Sequence, residues 1–162
     1  MQPTVTPFHH PASGTWSYVV ADPATQEAAI IDPVLDYDWK TGRTGTAAPD
    51  RIVEHCRAGA LRVRWILETH AHADHLSSAP CLQAALGGKI AIGQGIRAVQ
   101  RAFRDILNLG PEFPVDGSQF DHLFADGEEF TVGSIPARAI PTPGHTSDSL
   151  SYGDGASGEP PA

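Results

Sequence analysis

One short stretch of the chain concentrates side chains that bind metal ions. Residues 68–77 read ETHAHADHLS, so that three histidines and one aspartate fall within six positions: His70, His72, Asp74 and His75. Imidazole suits zinc and iron, and a carboxylate adds a hard oxygen ligand or a base that orients a water molecule. The residue types alone therefore predict a site for one or two metal ions, with Asp74 as the candidate catalytic carboxylate.

The spacing of these residues supports the same interpretation. In an extended segment, residues two apart point to the same side, so His70 and His72 can approach one ion together. Asp74 and His75 then fall where the chain turns toward the next helix. The alternative is a set of surface histidines with Asp74 as a helix cap. So dense a cluster directly after a buried-type strand favours the metal site.

The predicted elements place this cluster on a strand-to-helix turn. The β-branched and aromatic run RVRWILE (62–68) predicts a strand that leads into the cluster. The run SSAPCLQAALGG (77–88) predicts a helix that ends in glycines. Further upstream, TWSYVVA (15–21) and EAAIID (27–32) predict an antiparallel hairpin, preceded by a flexible polar segment that contains His9 and His10.

The remaining pattern alternates between helices and strands. Residues 32–49 are expected to form a polar loop. Helical spacing occurs in DRIVEHCRAG (50–59) and in the strongly amphipathic GIRAVQRAFRDILNLG (95–110), whose apolar face comprises Ile96, Val99, Phe103, Ile106 and Leu107. Strands are predicted for KIAIG (89–93), EEFTVG (128–133) and IPARAIPT (135–142), and a second histidine motif, TPGHT (142–146), follows directly.

Composition excludes several classes of partner. The chain has 162 residues, is 41% hydrophobic, and carries 19 acidic against 11 basic residues, for a formal charge of -8. Its arginines are scattered, and phosphate binding needs clustered positive charge, so a nucleic acid partner is not expected. No apolar run approaches the roughly 20 residues of a membrane span, and we expect a cytoplasmic protein. Cys56 and Cys81 are expected to be buried or half-buried free thiols.

The two histidine motifs carry a resemblance to a known family. THAHADH resembles the H-x-H-x-D-H signature of the metallo-β-lactamase superfamily, and TPGHT resembles the segment of that superfamily that supplies the next metal-binding histidine, here His145. The resemblance implies an α/β (α+β) fold, the αββα sandwich. ILETHAHADHLSSAP and LGPEFPVDGSQFDHLFADGE look most like the branch of persulfide dioxygenases and β-lactamase-like hydrolases, which is related to glyoxalase II.

Within that branch, the resemblance implies an iron-dependent oxidation. His70 and His145 correspond to two iron ligands, an aspartate would be the third, and His72, Asp74 and His75 would be near neighbours that orient ligands, hold water or tune charge. The cofactor would be Fe(II), and the small-molecule partner would be a glutathione-type thiol persulfide, which O2 oxidises to sulfite and thiol. Two histidines and one carboxylate suit ferrous iron that uses O2.

The same residues also fit the zinc hydrolases of the superfamily. There the resemblance implies that His70, His72 and His145 hold one Zn(II) while Asp74 and His75 hold a second, and that the substrate is a thioester, as for glyoxalase II. The sequence leaves this alternative open. A third alternative is a shortened remnant that at most binds metal or a partner.

The C-terminal part departs from the family pattern. In relatives, the aspartate ligand follows the PGH histidine after one more strand and turn, whereas this chain continues as SLSYGDGASGEPPA. Asp154 stands in GDG, which is first a turn signal. We therefore expect a metallo-β-lactamase-like domain over residues 1–152, lacking part of its C-terminal half, with a Gly/Pro/Ser-rich tail over residues 153–162. Apolar faces left uncovered would favour a homodimer.

Overall fold

The computed structural model describes residues 2–154. In chain order the elements are β1 (Thr4–His10), β2 (Thr15–Ala21), β3 (Glu27–Ile31), β4 (Val34–Asp38), β5 (Arg43–Gly45), α1 (Ala47–Ala58), β6 (Arg62–Leu67), β7 (Leu76–Ser77), α2 (Ala79–Leu86), β8 (Lys89–Gly93), α3 (Ile96–Ile106), β9 (His122–Phe124), β10 (Glu129–Val132), β11 (Ile135–Pro141) and β12 (Leu150–Asp154). The predicted tail begins inside β12, and its residues 155–162 lie outside the described part, so the boundary at 152 stays a prediction.

The chain forms two compact units that interleave along the sequence. The first comprises the described residues up to Leu67 together with His72–Ile90 and Thr131–Ile135. The second comprises Glu68–Ala71, Ala91–Phe130 and the described residues from Pro136 onward. Among the described residues, no helix is both long and apolar enough to span a membrane.

Four strands of the first unit follow one another in the order β1, β2, β3, β6. The β1–β2 and β2–β3 pairs are antiparallel, which confirms the predicted hairpin, and β3 pairs with β6 in parallel. The helices α1 and α2 contact each other, and α2 also contacts β6. Buried apolar side chains from strands and helices, Ile30, Ile52, Ile66 and Leu82, form the core of this unit.

Two parts of the first unit differ from the sequence prediction. The segment that contains His9 and His10 is not flexible: it is the edge strand β1, which pairs with β2 in full register. Its Pro7 argues against a strand, but an edge strand tolerates proline because one side of its backbone needs no ladder partner. The predicted polar loop contains β4 and β5, which pair antiparallel around a turn that Asp38 caps through Lys40 N–H at 2.9 Å.

The second unit contains parallel and antiparallel pairs of its own. β8 matches the predicted KIAIG strand residue for residue and pairs in parallel with β9, while β11 pairs antiparallel with β12. Ala91, Ile92, Phe124, Ala139 and Leu150 are its buried apolar side chains.

Helix α3 forms as predicted, but its apolar face is only partly buried. Ile96 is buried, whereas Phe103 and Ile106 are 46% and 73% exposed. The buried position in the middle of the helix is Gln100, whose side chain accepts the Gly117 N–H at 3.0 Å and donates to Gln119 at 2.8 Å. These hydrogen bonds of Gln100 fix the loop that follows α3. The apolar side chains of Phe103 and Ile106 remain on the surface. The predicted homodimer that would cover them stays a prediction.

The two thiols differ in environment. Cys56 on α1 is buried, and burial raises the pKa of its thiol to about 11. Cys81 is exposed on α2, so the prediction that both thiols are at least half-buried was wrong for this residue. Neither cysteine forms a disulfide.

Asp22, the residue after β2, is a buried carboxylate of the first unit. Asp22 is fully buried and accepts hydrogen bonds from Ser134 N–H at 2.7 Å, Ser134 Oγ at 2.8 Å, Ala24 N–H at 2.9 Å and Thr25 Oγ1 at 2.8 Å. The Ser134 N–H is the largest influence, and these donors together hold the pKa of the Asp22 carboxyl well below its usual value against the opposing effect of burial. Gly133, at φ +62°, allows this approach, because a Cβ there would lie 2.5 Å from Asp22 Oδ2.

Core packing gives a first testable consequence. We expect Ile30→Ala, which empties a fully buried position, to lower the free energy of unfolding by about 2 to 5 kcal/mol. The matched control is Ile106→Ala at an exposed position, which should change it by less than about 0.5 kcal/mol. Urea unfolding followed by circular dichroism measures both. Equal effects of the two substitutions would contradict this description of the core.

Asp22 gives a second consequence, for the dependence of stability on pH. The folded-state pKa of Asp22 is lowered. The carboxylate therefore stabilises the fold at pH values above its unfolded-state pKa of about 3.9, and this stabilisation is lost as the pH falls from there through the folded-state pKa. Wild type should therefore lose stability more steeply than Asp22→Asn between pH 5 and pH 2 in urea titrations. The control Asp126→Asn, at an exposed position, should keep the wild-type slope. A parallel course for wild type and Asp22→Asn would refute the role of this carboxylate.

Candidate metal centre

The predicted cluster begins where β6 ends, beside the end of β3. The two strands are parallel, and the Asp32 N–H after β3 donates to Leu67 O at the end of β6, at 2.9 Å. The carboxyl ends of parallel strands meet at one edge of a sheet, where loops carry functional groups. The residue after β3 and the motif residues after β6 therefore leave the sheet at the same edge.

Asp32 is a site residue that the motif analysis did not single out. Its Oδ1 lies 3.0 Å from His72 Nε2, and both side chains are largely buried. The backbone of Asp32 has φ +46°, a region that residues with a Cβ rarely adopt and that is concentrated at functional sites. The sequence signal was the Asp-Pro pair directly after a strand, but the contact with His72 depends on the parallel pairing and cannot be read from the pattern alone.

In the first unit, the structure brings together His72, Asp74 and His75. The rings of His72 and His75 lie 4.1 Å apart, and His75 Nδ1 lies 3.4 Å from Asp74 Oδ2. Burial lowers the pKa of His75, and the charge of His72 lowers it further. His75 is therefore held as the neutral imidazole, the form that binds metals.

The His75 side chain also passes a test of fit to a metal ion. It is only 2% exposed, and its Nε2 has no hydrogen-bond partner among residues 2–154. Buried polar atoms are nearly always hydrogen-bonded, so an orphaned ring nitrogen needs an explanation. A bound metal ion would explain it, because the ion would accept the lone pair of His75 Nε2.

Asp74 remains an anion in this setting. Burial acts to raise the pKa of Asp74, but hydrogen bonds from its own N–H and from His75, together with the charges of His75 and His72, lower it below its usual value. Thr15 Oγ1 lies 3.4 Å from Asp74 Oδ2. The carboxylate can accept hydrogen bonds or bind a cation at neutral pH.

A cavity of about 360 Å³ opens beside these residues in the first unit. His72, Asp74 and His75 line one side of it, and its other walls are Leu35, Tyr37, Trp39, Leu76 and His10. His10 is 8% exposed and is fixed by Ser13 Oγ at 2.7 Å from Nδ1 and by Asp36 at 3.4 Å from Nε2. The cavity has the size of a small-molecule site with apolar walls and a few polar groups.

The other two predicted ligands, His70 and His145, lie in the second unit. Their rings meet edge to face at 4.9 Å between centroids. His70 Nδ1 lies 2.9 Å from Thr69 Oγ1. This contact orients the His70 ring, the role that a partner on the other ring nitrogen has for metal-binding histidines. His145 is exposed.

The five predicted ligands are four histidines and one aspartate. The donor set is mixed nitrogen and oxygen, which suits zinc and iron alike. The assignment of each of the five predicted ligands to a metal stays a prediction.

Comparison with known proteins agrees with these observations. The profile of the metallo-beta-lactamase superfamily matches residues 10–156. A probable metallo-hydrolase of Burkholderia pseudomallei is 50% identical over 149 residues, which is 92% of this chain and 51% of that protein. The human mitochondrial persulfide dioxygenase ETHE1 is 26% identical over 142 residues, which is 88% of this chain and 44% of that protein.

The fold agrees as well. The crystal structure of ETHE1 from Myxococcus xanthus superposes with a TM-score of 0.70 at 24% identity, covering 94% of this chain and 54% of that one. The chain spans about half the length of these relatives and has the corresponding part of their mixed α/β fold. The resemblance inferred from the two histidine motifs is thus confirmed, and the chain belongs to the metallo-β-lactamase superfamily.

Proposed function

We propose that the protein is a persulfide dioxygenase of the superfamily, acting in the cytoplasm on a glutathione-type thiol persulfide. In the balanced reaction, RSSH, O2 and H2O give RSH, sulfite and two protons: the terminal sulfur is oxidised, O2 is reduced, and the S–S bond breaks. Among the relatives, the human persulfide dioxygenase supports this choice of chemistry.

The proposal is based on the different contacts that His70 and His72 make. His72 Nε2 already meets the Asp32 carboxylate at 3.0 Å. His70, in contrast, meets Thr69 through Nδ1 and lies beside the ring of His145. This arrangement favours one ion bound by the pair His70 and His145.

We assign the roles accordingly. His70 and His145 are the proposed iron ligands, and a carboxylate not yet assigned is the third. Iron held by two histidines and one carboxylate would supply the chemistry that activates O2 toward a persulfide sulfur. His72 is held in place by Asp32, and the anionic Asp74 lies at the wall of the cavity, where it can accept a hydrogen bond from a water molecule.

A zinc-dependent thioester hydrolase similar to glyoxalase II is the second candidate. The specific observation in its favour is the buried His75, whose Nε2 lacks a hydrogen-bond partner among the described residues and which adjoins Asp74. These two residues would hold a second ion. The 50% identity to a probable metallo-hydrolase points in the same direction.

The two candidates are separated by matched assays. Protein reconstituted anaerobically with ferrous iron should consume O2 and release sulfite when glutathione persulfide is added. Protein reconstituted with zinc should not release thiol from S-lactoylglutathione. Thiol release by the zinc form without O2 consumption by the iron form would establish the hydrolase instead. If both forms are inactive, the chain has kept its histidines without either activity.

Removal of one proposed ligand gives a direct prediction. We expect His70→Ala and His145→Ala each to lower O2 consumption and bound iron, because each would take away an iron ligand. The loss should exceed the factor of about 10 to 100 that follows removal of a residue that only supports a ligand. The control is His9→Ala, an exposed histidine on β1, which should keep wild-type activity. An oxygen electrode and iron determination on the same samples measure the outcome. Wild-type activity in His70→Ala would refute the ligand assignment.

A further inference from the structure

The residues directly after the second histidine motif form a regular set of contacts with the backbone around His70. We call Glu68–Ala71 the His70 segment and residues 148–152 the DSLSY run. Asp148 Oδ2 accepts the Ala71 N–H at 3.2 Å. The Leu150 N–H donates to Thr69 O at 2.8 Å, and the Tyr152 hydroxyl donates to Glu68 O at 2.8 Å. Every second residue of the run therefore binds the segment that carries His70.

The DSLSY run packs closely against the end of β8. A Cβ on Gly93 would lie 2.7 Å from Leu150 Cδ1, and a Cβ on Gly95 would lie 3.1 Å from Asp148 Cβ. The glycines of the GQG sequence at 93–95 thus allow the close approach of the run.

The two ends of the run are anchored differently. At its start, Asp148 is buried. Its Oδ2 accepts the Ala71 N–H, and its Oδ1 has no hydrogen-bond partner among the described residues. At its end, the Tyr152 ring packs against the rings of Phe124 and Phe130, at 5.8 and 6.0 Å between centroids. A buried carboxylate is costly unless it serves a partner, and here it serves the backbone between two motif histidines.

We propose that the DSLSY run is a clamp that positions His70 for metal binding, with Asp148 and Tyr152 as its positioning residues. The same stretch of chain carries His145 three residues before Asp148, so the clamp also determines how His70 and His145 meet. Fixing the backbone before the metal arrives removes an ordering cost from binding, which raises affinity. The proposal rests on the proposed function in treating His70 and His145 as ligands.

The test uses four variants of the whole chain. Asp148→Ala removes the acceptor for Ala71 N–H, whereas Asp148→Asn keeps an acceptor oxygen of the same shape. Tyr152→Phe removes only the hydroxyl that binds Glu68 O. Ser147→Ala, at an exposed neighbouring position, is the control. Amide hydrogen exchange in the metal-free protein reports the clamp, and zinc affinity by competition with a chelator reports its consequence.

We expect Asp148→Ala to accelerate exchange of the Ala71 amide at least tenfold and to weaken zinc binding by about 10- to 100-fold, the usual effect of outer-shell partners. Tyr152→Phe should weaken zinc binding in the same direction. Asp148→Asn should keep the protected Ala71 amide and most of the affinity, and Ser147→Ala should match wild type. Because Asp148→Asn preserves side-chain volume, it keeps the test decisive even if Asp148→Ala unfolds.

Two results would overturn the proposal. One is an unchanged Ala71 amide in Asp148→Ala, or a deprotected one in Asp148→Asn, because the bond would then not act as described. The other is faster exchange in the His70 segment with unchanged zinc affinity, because the bonds would then serve the fold alone. If wild type binds no zinc or iron at all, the proposed function fails, while exchange of the Ala71 amide still decides whether the clamp exists.

Discussion

The parallel pairing of β3 with β6 is the constraint on which the candidate site depends. It places the residue after β3 beside the end of β6, where the Asp32 N–H binds Leu67 O at 2.9 Å. Without that register the Asp32 carboxylate would not reach His72. The contact with His72 would then not offset the energetic cost of the left-handed backbone at Asp32. A contact between strands distant in sequence thus brings the Asp32 carboxylate to a motif histidine.

The histidines show how one sequence motif is divided among different physical roles. In the first unit, His72 is engaged by Asp32, and His75 is buried beside Asp74 with its pKa lowered by burial. In the second unit, His70 is oriented by Thr69 and meets His145. For His75, the lowered pKa favours the neutral imidazole, the form that binds a metal.

The sequence predicted what depends on local pattern. The strand KIAIG and the helix after the cluster follow from composition and turn residues, and the two histidine motifs identify the ligand types and the family. It missed β1, because Pro7 argues against a strand unless the strand is known to be an edge. It also missed the contact of Asp32 with His72 and the contacts of the DSLSY run with the His70 segment, because only the tertiary fold brings these groups near each other. Helix α3 was located correctly, but the pattern could not show that Phe103 and Ile106 remain exposed.

The metal content of the purified chain tests the central claim most directly. Protein purified anaerobically without an affinity tag would be analysed by plasma mass spectrometry, with protein concentration from amino-acid analysis. The account predicts about one iron per chain, lost when His70 or His145 is replaced by alanine. About two zinc ions per chain without iron, or iron that persists in both alanine variants, would contradict it.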